Sequence, residues 1–123
     1  MEPKRIALLI PHTDTTLETD LQCSFPTGYI LHTHRMWLDE VGEEAEKRMV
    51  DVSLPEGLKF LKGITTYDKA IFGCTSASAV YGTTGLVRLE ELISNELGCP
   101  CVSAFGAVLG EIRKRHNPKV TLM

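Results

Sequence analysis

No stretch of this sequence stays apolar for the roughly 20 residues that a membrane-spanning helix needs, so no membrane partner is expected. Nor is there an excess of positive charge. The 13 Lys and Arg residues are mixed along the chain with 16 Asp and Glu, for a formal net charge of −3. A nucleic-acid surface needs a clustered basic footprint, and without one no nucleic-acid partner is expected. Cysteine is sparse and badly spaced for the usual structural uses. Four thiols stand at 23, 74, 99 and 101. Cys99 and Cys101 are separated by one residue rather than the two of a redox motif, and no second pair exists to complete a zinc site. Both are read as structural. The opening residues lack a secretory charge-then-apolar pattern, so the expected setting is the reducing cytoplasm, without a disulfide framework. Aromatics make up 7% of the chain and offer no convincing pair to sandwich a flavin ring. No cofactor is therefore expected. Linkers, internal repeats and low-complexity segments are also missing.

What is present suits a globular domain. The chain has 123 residues, 43% of them hydrophobic, enough for one domain with a real core that needs no metal or disulfide to fold. Residues 5–10 form a nearly unbroken aliphatic run, the pattern of a strand covered on both faces, and Pro11 halts it. This run is expected at the centre of the sheet. Thr15 and Glu18 have capping-box spacing ahead of Leu17 and Leu21, which predicts a short helix. Pro26 and Gly28 end it, and residues 29–32 read as a second strand leading into polar Thr33, His34 and Arg35. His32 and His34 are expected on opposite sides of this strand. Val41, Ala45 and Met49 predict one face of a helix whose other side carries Glu43, Glu44, Glu46 and Lys47, read as a solvated face. Pro55, with Leu58 and Leu61 behind it, predicts a helix restart. A fourth strand is expected from Cys99 to Ala104, followed by a helix with Phe105, Val108, Leu109 and Ile112 on one face, ended by Asn117 and Pro118. Lys119 to Met123 begins one more apolar strand.

The stretch that carries chemistry is Lys69-Ala-Ile-Phe-Gly-Cys-Thr-Ser-Ala-Ser78. A short apolar strand runs into Gly73, which can turn the backbone, and delivers the Cys74 thiol to a polar loop. Behind it Leu86, Leu89, Ile93 and Leu97 recur at helical spacing, with Thr83 or Thr84 as a cap and Gly98 as a stop. A thiol is nucleophilic as a thiolate, and free N–H groups at a helix start favour that form. Cys74 is therefore expected to be the most reactive of the four thiols. Thr75, Ser76 and Ser78 add hydroxyl donors able to hold a carboxylate or a developing enolate beside it.

Strands alternating with helices predict an α/β domain: a doubly wound parallel sheet of four to five strands with helices on both faces. In such sheets ligands lie beyond the carboxyl ends of the strands. Residues 12–16, 32–35 and 74–78 would all converge on that edge.

The ordered trio Pro11-His-Thr-Asp-Thr-Thr-Leu-Glu18, His32-Thr-His-Arg-Met36 and Phe72-Gly-Cys-Thr-Ser-Ala-Ser78 resembles the aspartate/glutamate racemase superfamily, in particular its maleate cis-trans isomerase and arylmalonate decarboxylase branch. Members of that superfamily have two similar α/β halves facing one another, each usually supplying one cysteine to the pocket between them. The resemblance covers the first half only, a Rossmann-like unit spanning residues 1–123, with residues 119–123 similar to the opening strand of a second half. It implies that Cys74 is the nucleophile or a proton-transfer acid/base, and that Thr75 and Ser76 bind a substrate carboxylate. Thr13, Asp14, Arg35 and Tyr81 are the further substrate-binding candidates. The decarboxylases typically carry glycine where this chain has Cys74, which points toward isomerase or racemase chemistry. Asp14 replaces the asparagine of the isomerase pattern and would repel a carboxylate unless it is protonated, binds an ammonium or hydroxyl group, or caps the helix. Arg35 suits a carboxylate but equally an ion pair with a glutamate.

The function so implied is a cofactor-independent, cysteine-dependent isomerase or racemase acting on a small carboxylic acid, incomplete as a half-length chain. Association into a homodimer or higher homo-oligomer is one way to supply the other half. The alternative is a non-catalytic small-molecule-binding or flavodoxin-like module, the latter binding a flavin or phosphate at residues 13–18.

Overall fold

A computed structural model describes residues 2–116 and 119–121. Its elements run in the order β1 (Lys4–Pro11), α1 (Leu17–Ser24), β2 (Tyr29–Met36), α2 (Glu43–Arg48), a π-helical turn (Met49–Ser53), α3 (Leu54–Lys62), β3 (Lys69–Phe72), α4 (Thr75–Ala79), α5 (Gly82–Leu97), β4 (Cys101–Ser103) and α6 (Ala104–Arg113). Among the described residues the sheet has four strands in the order β2-β1-β3-β4, every pair parallel. The aliphatic run of β1 lies inside the sheet, as its lack of a polar face requires.

The path from β1 through α1 moves one way across the sheet, and the path from β2 through α3 returns over β1 the other way. Right-handed crossovers then place α1 and α3 on opposite faces. Ala7, Leu9, Met36, Ala70 and Phe72 meet Ala45, Met49, Leu54, Leu58, Leu61, Leu89, Ile93 and Leu97 of α2, the π turn, α3 and α5 in one buried cluster. Ile6, Leu8 and Ile10 point the other way and are also buried.

Several local expectations are corrected. Thr33, His34 and Arg35 lie within β2 rather than beyond it, because parallel pairing to Leu8, Leu9 and Ile10 carries the strand on to Met36. His32 and His34, two residues apart, share one face. His32 stands edge-on to Tyr67, and His34 stacks on Phe60 above Gly57, where an added Cβ would lie 2.5 Å from the imidazole. Burial, then the Arg5 cation, pull the His32 imidazole below its ordinary pKa, and its Nε2 lies 3.0 Å from the Arg5 guanidinium. The restart at Pro55 is instead a continuation. A proline ring crowds the carbonyl four residues back, and the wider π turn immediately before α3 relieves that crowding without breaking the rod. Val41 lies outside the helix it was expected to face. The stretch after Cys74 is the short helix α4 rather than a loop, and α5 begins at Gly82, ahead of Thr83 and Thr84. Gly98 ends α5 at φ +68, a conformation that glycine adopts without strain. Lys119–Thr121 have no regular structure, whereas Asn117, Pro118, Leu122 and Met123 lie outside the described residues.

Candidate active site

β1 and β3 are neighbours, so their carboxyl ends deliver two turns side by side at the point where the chain's crossovers diverge to opposite faces. One turn carries Thr13 and Asp14, the other Cys74. The two are locked together at Gly73, whose N–H donates to the Leu9 carbonyl at 2.7 Å. A Cβ at Gly73 would lie 2.4 Å from Leu17 Cδ2 and 2.9 Å from Ile10 Cγ2. Gly73 therefore serves close packing of β3 against the start of α1, in addition to the turn expected from the sequence.

The β1–α1 turn is organised by Asp14 rather than by the Thr15–Glu18 capping box. Asp14 Oδ1 accepts from the backbone N–H groups of Thr16 and Leu17, each at 2.9 Å. Glu18 is drawn away to Arg35, Oε2 to Nη2 at 2.8 Å. The same guanidinium donates to the Asp14 carbonyl at 2.6 Å and to that of His12 at 3.3 Å. Arg35 thus braces the turn, with its donors directed at protein acceptors. Thr13 is exposed on it. His12 stacks on Trp37 with ring centroids 4.2 Å apart, and its Nδ1 accepts from the Leu38 N–H at 3.0 Å, which ties the end of β2 to the same rim.

Cys74 occupies the N-cap position of α4 with extended backbone and is 7% exposed. Its Sγ lies 3.8 Å from Ser76 Oγ. Burial pushes the thiol above its ordinary range. The Ala77 N–H and the Ser76 hydroxyl act in the opposite direction, while the negative charges of Glu46 and Asp14 add to the rise. The expected easy thiolate is therefore corrected: the helix-start donors are present, but desolvation outweighs them. Cys23 is the exposed one of the four thiols, whereas Cys74 and Cys99 are buried and Cys101 is half-buried. Cys99 is raised by burial and by Asp68, and Cys101 is pushed up to about 12, chiefly by burial.

Thr75 and Ser76 lie exposed at the start of α4. Ser78 turns inward, donating to the Thr75 carbonyl at 2.9 Å and accepting the Phe105 N–H at 3.2 Å, so its hydroxyl serves the fold. Tyr81 precedes α5, and its hydroxyl donates to Asp51 on the π turn at 3.2 Å. Burial and the Asp51 charge push that phenol up, and Lys47 Nζ sits 5.9 Å from the ring centroid.

Glu46 is the residue that sequence reasoning missed. The charge pattern of α2 places it on a solvated face, yet it is 5% exposed and accepts a 2.5 Å hydrogen bond from Ser76 Oγ. Its spacing held a signal, because a residue one after Ala45 and three before Met49 lies at the margin of their apolar stripe. Glu43 and Glu44 on the same helix are exposed, as expected. Among the described residues no group of three or more His, Cys, Asp or Glu is placed to hold a metal ion. A groove of about 480 Å³ between α3 and α5, lined by Pro55, Leu58, Lys62 and Leu92 among others, includes none of the candidate residues.

No protein-family model and no curated protein matches the chain. Solved structures do. The fold is shared with maleate isomerases. A Nocardia farcinica maleate cis-trans isomerase variant, with a cysteine-to-serine substitution and a covalently bound succinylcysteine intermediate, is similar at a TM-score of 0.77 and 22% identity over 89% of this chain and 48% of that one. The maleate isomerase Iso from Pseudomonas putida S16 gives 0.71 and 22% over 91% and 49%. A liganded arylmalonate decarboxylase variant, with one glycine replaced by cysteine and one cysteine by serine, gives 0.76 and 19% over 90% and 46%. The chain spans about half the length of these structures. Among the described residues no helix is long and apolar enough to cross a membrane.

Proposed function

We propose that this chain supplies one face of a cofactor-independent isomerase or racemase pocket for a small carboxylic acid, with Cys74 as the reacting group. The observation that carries this reading is a single thiol at the carboxyl edge of β3, beside the Ser76 hydroxyl, on a fold shared with maleate isomerases of which one holds a succinylcysteine. In the isomerase version the Cys74 sulfur adds to the double bond of a cis-enedioate, the new single bond rotates, and elimination gives the trans product. In the racemase version it exchanges the proton next to a carboxylate with a second group on the opposite face. Thr75 would bind a carboxylate through its hydroxyl and N–H groups and Ser76 through its N–H, since the Ser76 hydroxyl donates to Glu46, and Tyr81 would close one side. Thr13 lies on the same rim. Asp14 and Arg35 are assigned to bracing that rim rather than to binding substrate, since Asp14 Oδ1 accepts from the Thr16 and Leu17 N–H groups and Arg35 donates to Glu18 and to the His12 and Asp14 carbonyls. The flavodoxin-like alternative is not favoured, because Asp14 already occupies the N–H groups of Thr16 and Leu17 that a phosphate would use.

Both versions need groups on two faces of the substrate in a closed, dry pocket. The facing side is assigned to a second α/β unit, either further chain or another copy. Maleate is expected to leave a succinyl adduct on Cys74, visible by peptide mass and absent from Cys74→Ala, with little or no turnover of maleate or of D- and L-aspartate and glutamate. No adduct, or one shared equally with Cys23, counts against Cys74. Cys74-dependent turnover by a demonstrated monomer would show that one face suffices.

A further inference from the structure

We propose that Glu46 is a positioning residue that takes up, through the Ser76 hydroxyl, the proton Cys74 gives up when its sulfur bonds to an electrophilic carbon. The inference rests on the reading of Cys74 as the reacting thiol. Three side chains from two packed elements line up: Glu46 Oε1 at 2.5 Å from Ser76 Oγ, and Ser76 Oγ at 3.8 Å from Cys74 Sγ. Ser76 donates its only proton to Glu46, which leaves oxygen lone pairs to receive the proton of the thiol. The carboxylate is buried, and among the described residues no Lys, Arg or His forms a salt bridge with it. Two residues on the same helix show the contrast, since exposed Glu43 pairs with Lys47 four positions away. With one hydroxyl donor and no salt-bridge partner among the described residues, the carboxyl group keeps acceptor capacity directed at the Ser76 hydroxyl.

The step balances without any further reactant. As the sulfur–carbon bond forms, the S–H proton passes to Ser76 Oγ while the Ser76 proton passes to Glu46 Oε1. The π electrons of the substrate move onto the carbon next to its carboxylate. Elimination reverses each movement: the sulfur–carbon bond breaks, the double bond reforms and the proton returns to sulfur. Nothing is oxidised or reduced. The charged groups acting on the thiol are Glu46 on α2 and Asp14 in the β1–α1 turn, both negative, with Tyr81, Asp51 and Lys47 at the adjoining rim. A neighbouring negative charge by itself opposes thiolate formation, so a relay and a mere field predict opposite signs when Glu46 is neutralised.

That sign is the test. The native chain, Glu46→Gln and Ser76→Ala are treated with iodoacetamide between pH 6 and 9, and labelling of Cys74 is followed by peptide mass against exposed Cys23 as internal control. The relay predicts a native Cys74 rate that varies little with pH below the thiol's own titration. In both variants the rate at neutral pH falls by about a hundredfold or more, the scale of a lost general base, and becomes proportional to hydroxide. Labelling of Glu46→Gln that is unchanged or faster overturns the proposal, provided thermal unfolding shows the variant folded. If it is unfolded, Ser76→Ala decides, since Ser76 is exposed: labelling with the native pH profile there overturns the relay, and a change from a pH-independent to a hydroxide-proportional rate, about a hundredfold lower at neutral pH, supports it. Iodoacetamide does not depend on substrate recognition, so failure of the relay remains separate from failure of the maleate adduct.

Discussion

Helices α5 and α6 each carry an apolar stripe at helical spacing, and the fold treats them differently. In α5 the stripe of Leu86, Leu89, Ile93 and Leu97 is buried, closing the sheet face that also receives α2 and α3. In α6 the matching stripe of Phe105, Val108, Leu109 and Ile112 contains no buried residue, and Val108 is 49% exposed. Helix α1 resembles α6, with no buried residue along its length. The difference shows that periodicity determines which side chains share a face, while burial depends on what the rest of the chain brings to that face. The candidate site sits where the two regimes meet: Glu46 and Tyr81 come from elements packed on the closed face, and Asp14 introduces the thinly packed α1.

Three substitutions sharpen or break this comparison. Ile93→Ala removes a fully buried side chain from the closed face and is expected to cost about 2–5 kcal/mol, read from denaturant unfolding with an unchanged slope. Asp14→Ala removes the acceptor for the first N–H groups of α1 and should cost about 0.5–2 kcal/mol, with faster amide exchange confined to residues 16–24. Val108→Ala should change stability by no more than about 0.5 kcal/mol. A loss at Val108 as large as that at Ile93 would mean that α6 is covered in solution as thoroughly as α5, and the contrast would fail.

Much of the architecture was legible because it is written in local patterns. The aliphatic run of β1 needs cover on both faces and lies inside the sheet. The turn at Gly98 and the buried face of α5 follow from one glycine and four spaced apolar residues. Boundaries were less legible. The carboxyl end of β2 depends on pairing to β1, a partner 25 residues away in register, and the π turn before Pro55 depends on how the whole 43–62 rod lies on the sheet. At the site, the edge that carries Cys74 could be read from the order of strands and polar segments. The partners of each polar group could not, since Arg35 had several acidic candidates and took Glu18.

The sequence by itself determined the main strands and helices, the parallel α/β class and the placing of Cys74 at a strand's carboxyl end, because each follows from spacing within some 20 residues. Tertiary structure alone decided the state of that thiol. Burial of Cys74 and the inward turn of Glu46 onto Ser76 come from packing α2 against α4, elements about 30 residues apart in the chain. The ionisation of a side chain answers to the dielectric and charges around it in space. Neither is a property of the residues next to it in sequence.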